Sequence, residues 1–250
     1  MRSALYNMRL PARGCIDRGF RALRGSAHMP DAPADFRVVC RRLEQAYGRR
    51  QWHRWGSAVS ILVETVLSQN TSDRNSSAAF RKLWRTFRSW KRVADAATAE
   101  VERCIRVAGL SRIKAPRIQR ILRAIRQHHG SLSLEFLGRM PPDEALEYLL
   151  KFDGVGHKTA SCVLLFAFGK AVFPVDTHIH RIALRAGWIP ARTTADRAHQ
   201  LMQAVVPPDI AYSLHVLLIA HGRQTCLARR PLCDKCVLQD LCRTGRSAVT

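Results

Sequence analysis

Four cysteines stand close together near the C-terminus, Cys226, Cys233, Cys236 and Cys242, in the spacing C-x6-C-x2-C-x5-C. The segments between them are too short to bury apolar side chains of their own, so this part of the chain needs a crosslink to hold a shape. Disulfides would require an oxidising compartment, and the first 28 residues carry no apolar core of a secretory signal. Zinc would accept four thiolates, but zinc ribbons usually bring two C-x2-C knuckles from separated places, and here there is one. Spacing therefore favours an iron-sulfur cluster over zinc by about two to one. The loop between the first two cysteines carries Arg229 and Arg230, which suit contact with phosphate or simply solvate the loop.

The rest of the chain reads as all-α. Strand signals are nearly absent, and apolar residues recur at helical spacing from Phe36 to Cys242. Residues 113–129 show it best. Ile113, Ile118, Ile121, Leu122 and Ile125 mark one face, Arg117, Arg120, Arg123 and Arg126 a solvated basic face, and Gly130 a stop. Further helices are expected over 37–47, 59–67, 77–87, 97–107, 143–152, 158–168, 178–186, 195–205 and 210–221. No apolar stretch reaches the length of a membrane span. Residues 1–33 read as a disordered basic arm; it is either an organelle transit segment or translation begun upstream of a start at Met29. Lys and Arg total 41 against 19 acids in 250 residues, a net charge of +22 that makes nucleic acid the default partner. Charge alone names a surface, not a reaction.

Residues 143–168 read as helix, tight turn, helix, the turn being Phe152-Asp153-Gly154-Val155-Gly156. Gly154 and Gly156 let backbone amides approach a phosphate while Val155 tucks between the helices, the pattern of a helix-hairpin-helix. Lys158 follows in the first turn of the second helix, where unpaired amides disfavour a cation. A lysine there either grips phosphate or, deprotonated by burial and neighbouring positive charge, acts as an amine nucleophile. Asp176, in Val175-Asp176-Thr177-His178, is a good N-cap for the next helix. Beside Lys158 its carboxylate could also stabilise positive charge developing on a sugar.

GVGHKTA, then VDTH, then C-x6-C-x2-C-x5-C, in this order, resemble the endonuclease III family. The similarity runs from about Phe36 to Cys242 and takes in two loops like the family's DNA wedges, at Gln69-Asn70 and at Leu110. The resemblance implies two helical domains flanking a DNA-binding cleft. Residues 56–175 would form a helical barrel, and 34–55 with 176–245 a domain around a 4Fe-4S cluster held by the four cysteines. It further implies a monomer acting on double-stranded DNA that contains damaged bases, chiefly oxidised pyrimidines, or abasic sites. The base would flip into the cleft, Lys158 would attack the sugar with help from Asp176, and a Schiff base would permit β-elimination. The location would be cytoplasmic, at the nucleoid, if the chain is bacterial, or an organelle. Three departures stand out: Phe152-Asp153 before the GVG turn, the Ser68-Gln69-Asn70 wedge sequence, and Glu64 where related adenine glycosylases carry their acid. Glu64 leaves open a mismatch- or adenine-specific enzyme, and a non-catalytic metal-containing DNA-binding module is the remaining alternative.

Overall fold

The computed structural model describes residues 34–247, which are helical with no strand. The expected basic arm and the alternative start at Met29 lie outside the described residues. The helices are α1 (Phe36–Tyr47), α2 (Ala58–Ser68), α3 (Asp73–Phe87), α4 (Trp90–Asp95), α5 (Thr98–Ile105), α6 (Ser111–His129), α7 (Pro142–Leu150) and α8 (His157–Phe168). They continue as α9 (Thr177–Ala186), α10 (Ala195–Val205), α11 (Ala211–Gln224) and the short α12 (Arg243–Ser247). Among the described residues no single helix is long and apolar enough to cross a membrane.

Two hydrophobic cores organise these elements. The first gathers buried residues from Ala58 to Val172 and is centred on α2 and α8, which pack on each other. Both helices are apolar on nearly every side, as central helices must be. The second core joins Phe36, Val39 and Leu43 of α1 to Phe173 and to the inner faces of α9, α10 and α11. The chain passes from one core to the other at Val172–Phe173, three residues before Asp176, so α8 and α9 start from opposite sides of the junction.

Helix starts follow side-chain caps. Ser57 accepts from the Ser60 amide, Ser72 from Asn75 and Asp176 from Ile179. The expected helix at 97–107 ends early as α5 and continues as a 3-10 turn at Arg106–Ala108. α4 has no counterpart in the sequence expectation: six residues are too few to display a helical period, and it is fixed by the Ser89 cap and burial of Trp90 and Val93.

The arginine face of α6 is not simply solvated as the sequence suggests. Arg120 pairs with Asp153, Arg126 with Asp95, and Arg123 Nε donates to the Ala94 carbonyl. One turn before Arg117, Lys114 interrupts the apolar stripe of the helix and is almost completely buried.

Candidate active site and cysteine loop

The turn before α8 provides its two glycines for different reasons. Gly154 has φ of +78°, the left-handed region that costs other residues strain, and its Cα lies against the Arg117 guanidinium. Gly156 has ordinary backbone angles and open space where a Cβ would stand. It caps α8 without any side-chain hydrogen bond, so the first amides of the helix have no cap partner from the protein. Val155 is buried in the first core, as its expected place between the helices requires. Asp153 is exposed, and its carboxylate is bound by Arg120 at 2.8 Å, which offsets the acid beside the turn.

Lys158 is half-buried in the first turn of α8, and Asp176 is half-buried at the head of α9. One Asp176 oxygen, Oδ1, accepts from the Ile179 amide at 2.8 Å. The two charged groups share their surroundings: the buried Cys162 thiol, one turn along from Lys158, and the buried His215 ring both lie within the electrostatic reach of each. Burial raises the Cys162 thiol and keeps it neutral. Burial also lowers His215 to about 4, against the pull of Asp176, and its Nδ1 donates to the Pro174 carbonyl. His199 is lowered to about 4, again chiefly by burial, and its Nδ1 accepts from the Val175 amide. A neutral His215 thus lies within electrostatic reach of Asp176, and a neutral His199 holds the backbone at Val175, the residue before it. Neither histidine was singled out in the sequence, where a lone histidine on an apolar helix carries no signal.

The two loops that resemble DNA wedges stand where α2 ends and α6 begins. Asn70 and Leu110 both adopt positive φ, +51° and +49°, an uncommon and costly conformation for a leucine. Both are exposed, Leu110 by 51 %. Gln69 behaves differently. Its Nε2 donates to the Gly154 carbonyl and to Thr159 Oγ1, and its Oε1 accepts from Arg117. The structure therefore ties Gln69 down beneath the hairpin turn and leaves Asn70 outward.

Glu64 lies mid-α2 and half-buried. Burial raises its carboxyl, partly opposed by Arg81 and reinforced by Asp73. Its charged neighbours are on α3, and Asp73 is in turn paired with Arg223 of α11.

The four cysteines of the tail line one cavity together with Ile182, Trp188 and Leu238. Arg185 donates to Cys226 Sγ at 3.3 Å and to the carbonyls of Leu227 and Ala228, while the Gly245 amide donates to Cys242 Sγ. Arg181 holds the Cys226 carbonyl, and Arg42 of α1 reaches Asp240. Four thiols that line one cavity fit an iron-sulfur cluster, whose sulfurs accept N–H bonds of the kind seen here. Arg229 and Arg230 are exposed on the loop.

Residues 63–208 match the family described as HhH-GPD superfamily base excision DNA repair protein, and residues 226–242 match the iron-sulfur binding domain of endonuclease III. The chain is 35% identical to an endonuclease III of Thermotoga maritima over 78% of its own length and 86% of the relative's. It is 34% identical to an endonuclease III of Sulfolobus acidocaldarius, over 74% and 81%. A trapped endonuclease III–DNA covalent intermediate superposes with a TM-score of 0.72 at 27% identity, covering 86% of this chain and 97% of the other.

Proposed function

This chain belongs to the endonuclease III family of base excision DNA repair proteins, and on that footing we propose that Lys158 is its nucleophile and oxidised pyrimidines its substrates. It is a DNA N-glycosylase and abasic-site lyase that binds DNA and carries a 4Fe-4S cluster. The observation that carries the proposed mechanism is that Lys158 and Asp176 both lie within electrostatic reach of the buried Cys162 and His215, near the junction of the two cores.

In this reading the two cores correspond to the domains 56–175 and 34–55 with 176–245, except that Phe173 and Val175 belong to the second core, and DNA occupies the cleft between them. The exposed amides at the head of α8 hold a backbone phosphate, with Gly156 leaving room for it. Asn70 and Leu110 enter the duplex where the damaged nucleotide leaves it. Their strained, fixed backbones pre-set that geometry and reduce what DNA binding must still order. Lys158, as the free amine, attacks C1′ of the deoxyribose; the N–C1′ bond forms as the base departs with the glycosidic electron pair and takes up a proton. The Asp176 carboxylate, with the neutral His215 within its reach, stabilises the positive charge that grows on the sugar. The lysine nitrogen then loses a proton and the C1′–O4′ bond opens, O4′ taking up a proton, which leaves a Schiff base; this acidifies the C2′ proton, and its removal by a base breaks the C3′–O bond and releases the 3′ phosphate.

Cys226, Cys233, Cys236 and Cys242 would hold the cluster, which when bound fixes the shape of the loop and takes no part in hydrolysis. Arg229 and Arg230 on that loop then face a second stretch of DNA backbone. The chain acts as a monomer in this reading.

The trapped covalent endonuclease III–DNA intermediate supports a Schiff base by analogy. A panel of duplexes tests the substrate: oxidised pyrimidines should be released faster than mismatched adenine, and the reverse order overturns this specificity. The raised Glu64 carboxyl favours a second reading, in which Glu64 protonates the leaving base. Glu64→Gln should then slow base release while leaving cleavage of preformed abasic sites intact. Equal rates on both substrates would reject that role.

A further inference from the structure

α6 carries a buried cation that the proposed chemistry does not use. Lys114 is 2 % exposed in the interior of the first core, where an ammonium loses its hydration and a methionine or leucine would pack at lower cost. Its Nζ donates to the Leu67 carbonyl at 2.8 Å and to the Ala108 carbonyl at 2.9 Å. Leu67 lies in the last turn of α2, three residues before Asn70, and Ala108 lies two residues before Leu110. Both carbonyls sit where the chain has left its regular hydrogen-bond ladder, so each needs a donor from elsewhere. The Lys114 backbone amide also donates to the Leu110 carbonyl.

We infer that Lys114 is a positioning residue whose single buried ammonium holds both wedge loops at a fixed separation, so that Asn70 and Leu110 enter the duplex together. The inference rests on the wedge reading given above. Burial lowers the Lys114 ammonium without any acid to oppose it, in keeping with a group retained for its donors. The same helix face continues the device: Arg117, three residues on, binds the Gln69 side chain, which in turn holds the Gly154 carbonyl of the hairpin turn. One rigid helix thereby joins both wedges to the phosphate-binding turn. Arg117 Nε is itself buried with no partner, so the contact at Gln69 fixes that side chain by one nitrogen only.

The test uses a duplex holding a stable abasic analogue with 2-aminopurine as the opposite base, whose fluorescence rises when it is unstacked. Wild type, Lys114→Met, Lys114→Gln, Asn70→Ala and Leu110→Ala are compared at saturating protein, with anisotropy for binding and cluster absorbance with circular dichroism for folding. Lys114→Met should fold and bind the duplex, yet lose the fluorescence rise about as far as Leu110→Ala does. Adding Leu110→Ala to it should cost little more, because the two act as one unit. Lys114→Gln, which keeps two N–H donors on a shorter stem, should retain part of the signal, and it replaces Lys114→Met if that variant fails to fold. A full wild-type rise in the Lys114 variants, with loss in Asn70→Ala and Leu110→Ala, overturns the inference and leaves the wedges standing. No loss in either wedge variant overturns the wedge reading itself. If neither Lys114 variant folds, Lys114 is a requirement of the core and the positioning role is rejected.

Discussion

Gly154 and Gly156 flank one residue, yet alanine at the two positions should do opposite things. At Gly154 the left-handed backbone costs an alanine about 1–2 kcal/mol. Its Cβ would overlap Nε, Cδ and Cζ of Arg117, so that side chain must move and its bond to Gln69 is lost, about 0.5–1.5 kcal/mol more. The total of roughly 1.5–3.5 kcal/mol corresponds to a fall in Tm of about 3–14 °C for a chain of this size. At Gly156 the backbone suits any residue and the added methyl meets nothing, so stability should stay within about 0.5 kcal/mol of wild type. That methyl, however, would stand where a phosphate must approach the uncapped amides of α8. Losing one such contact should weaken duplex binding by about tenfold and make log Kd less steep in log salt. Circular dichroism melts and fluorescence anisotropy over a salt series read both quantities. Wild-type DNA affinity in Gly156→Ala would refute the phosphate-approach argument, and equal melting temperatures for the two variants would refute the separation of roles.

Asp176→Asn should leave Tm nearly unchanged, since asparagine caps a helix as well as aspartate, while base release slows by about 100-fold or more and DNA binding holds. Parallel loss of binding and rate would reduce Asp176 to its cap. His199 and His215 are held near 4 by burial, below the ordinary value of about 6.5, so the unfolded chain takes up protons first on acidification. Stability should therefore be flat above about pH 6.5 and fall between there and about pH 4, by about 1 kcal/mol per histidine at pH 5.5. A Tm that does not change between neutral pH and pH 5.5 would contradict this. Arg185→Met removes a donor to Cys226 Sγ and to two loop carbonyls, and should lower the midpoint potential of the bound cluster and hasten its loss under chelation. An unaltered potential and lifetime would count against the sulfur contact.

What could be read beforehand depended on how local each feature is. The helices, the GVG turn and the spacing from Lys158 to Asp176 are properties of short stretches, and the all-α expectation holds throughout the described residues. That Gln69 is tied down and Asn70 is not was not legible, because the ties are to Gly154, Thr159 and Arg117, which come from two other parts of the chain. Lys114 could have been found: it lies four residues before Ile118 and seven before Ile121, on the buried face, where a lysine breaks an otherwise apolar stripe. Asp153 stands out in the sequence as an acid before the GVG turn, and its partner Arg120, one helix away, is set by the fold and not by local sequence.

The central claim is that the Lys158 amine forms the bond to the sugar. Wild-type protein incubated with lesion-bearing duplex in the presence of borohydride should yield a covalent adduct. Digestion and mass spectrometry should place the reduced sugar on Lys158, and Lys158→Gln should give no adduct while still binding the duplex. An adduct mapped to another residue, or base release by wild type with no adduct, would contradict it.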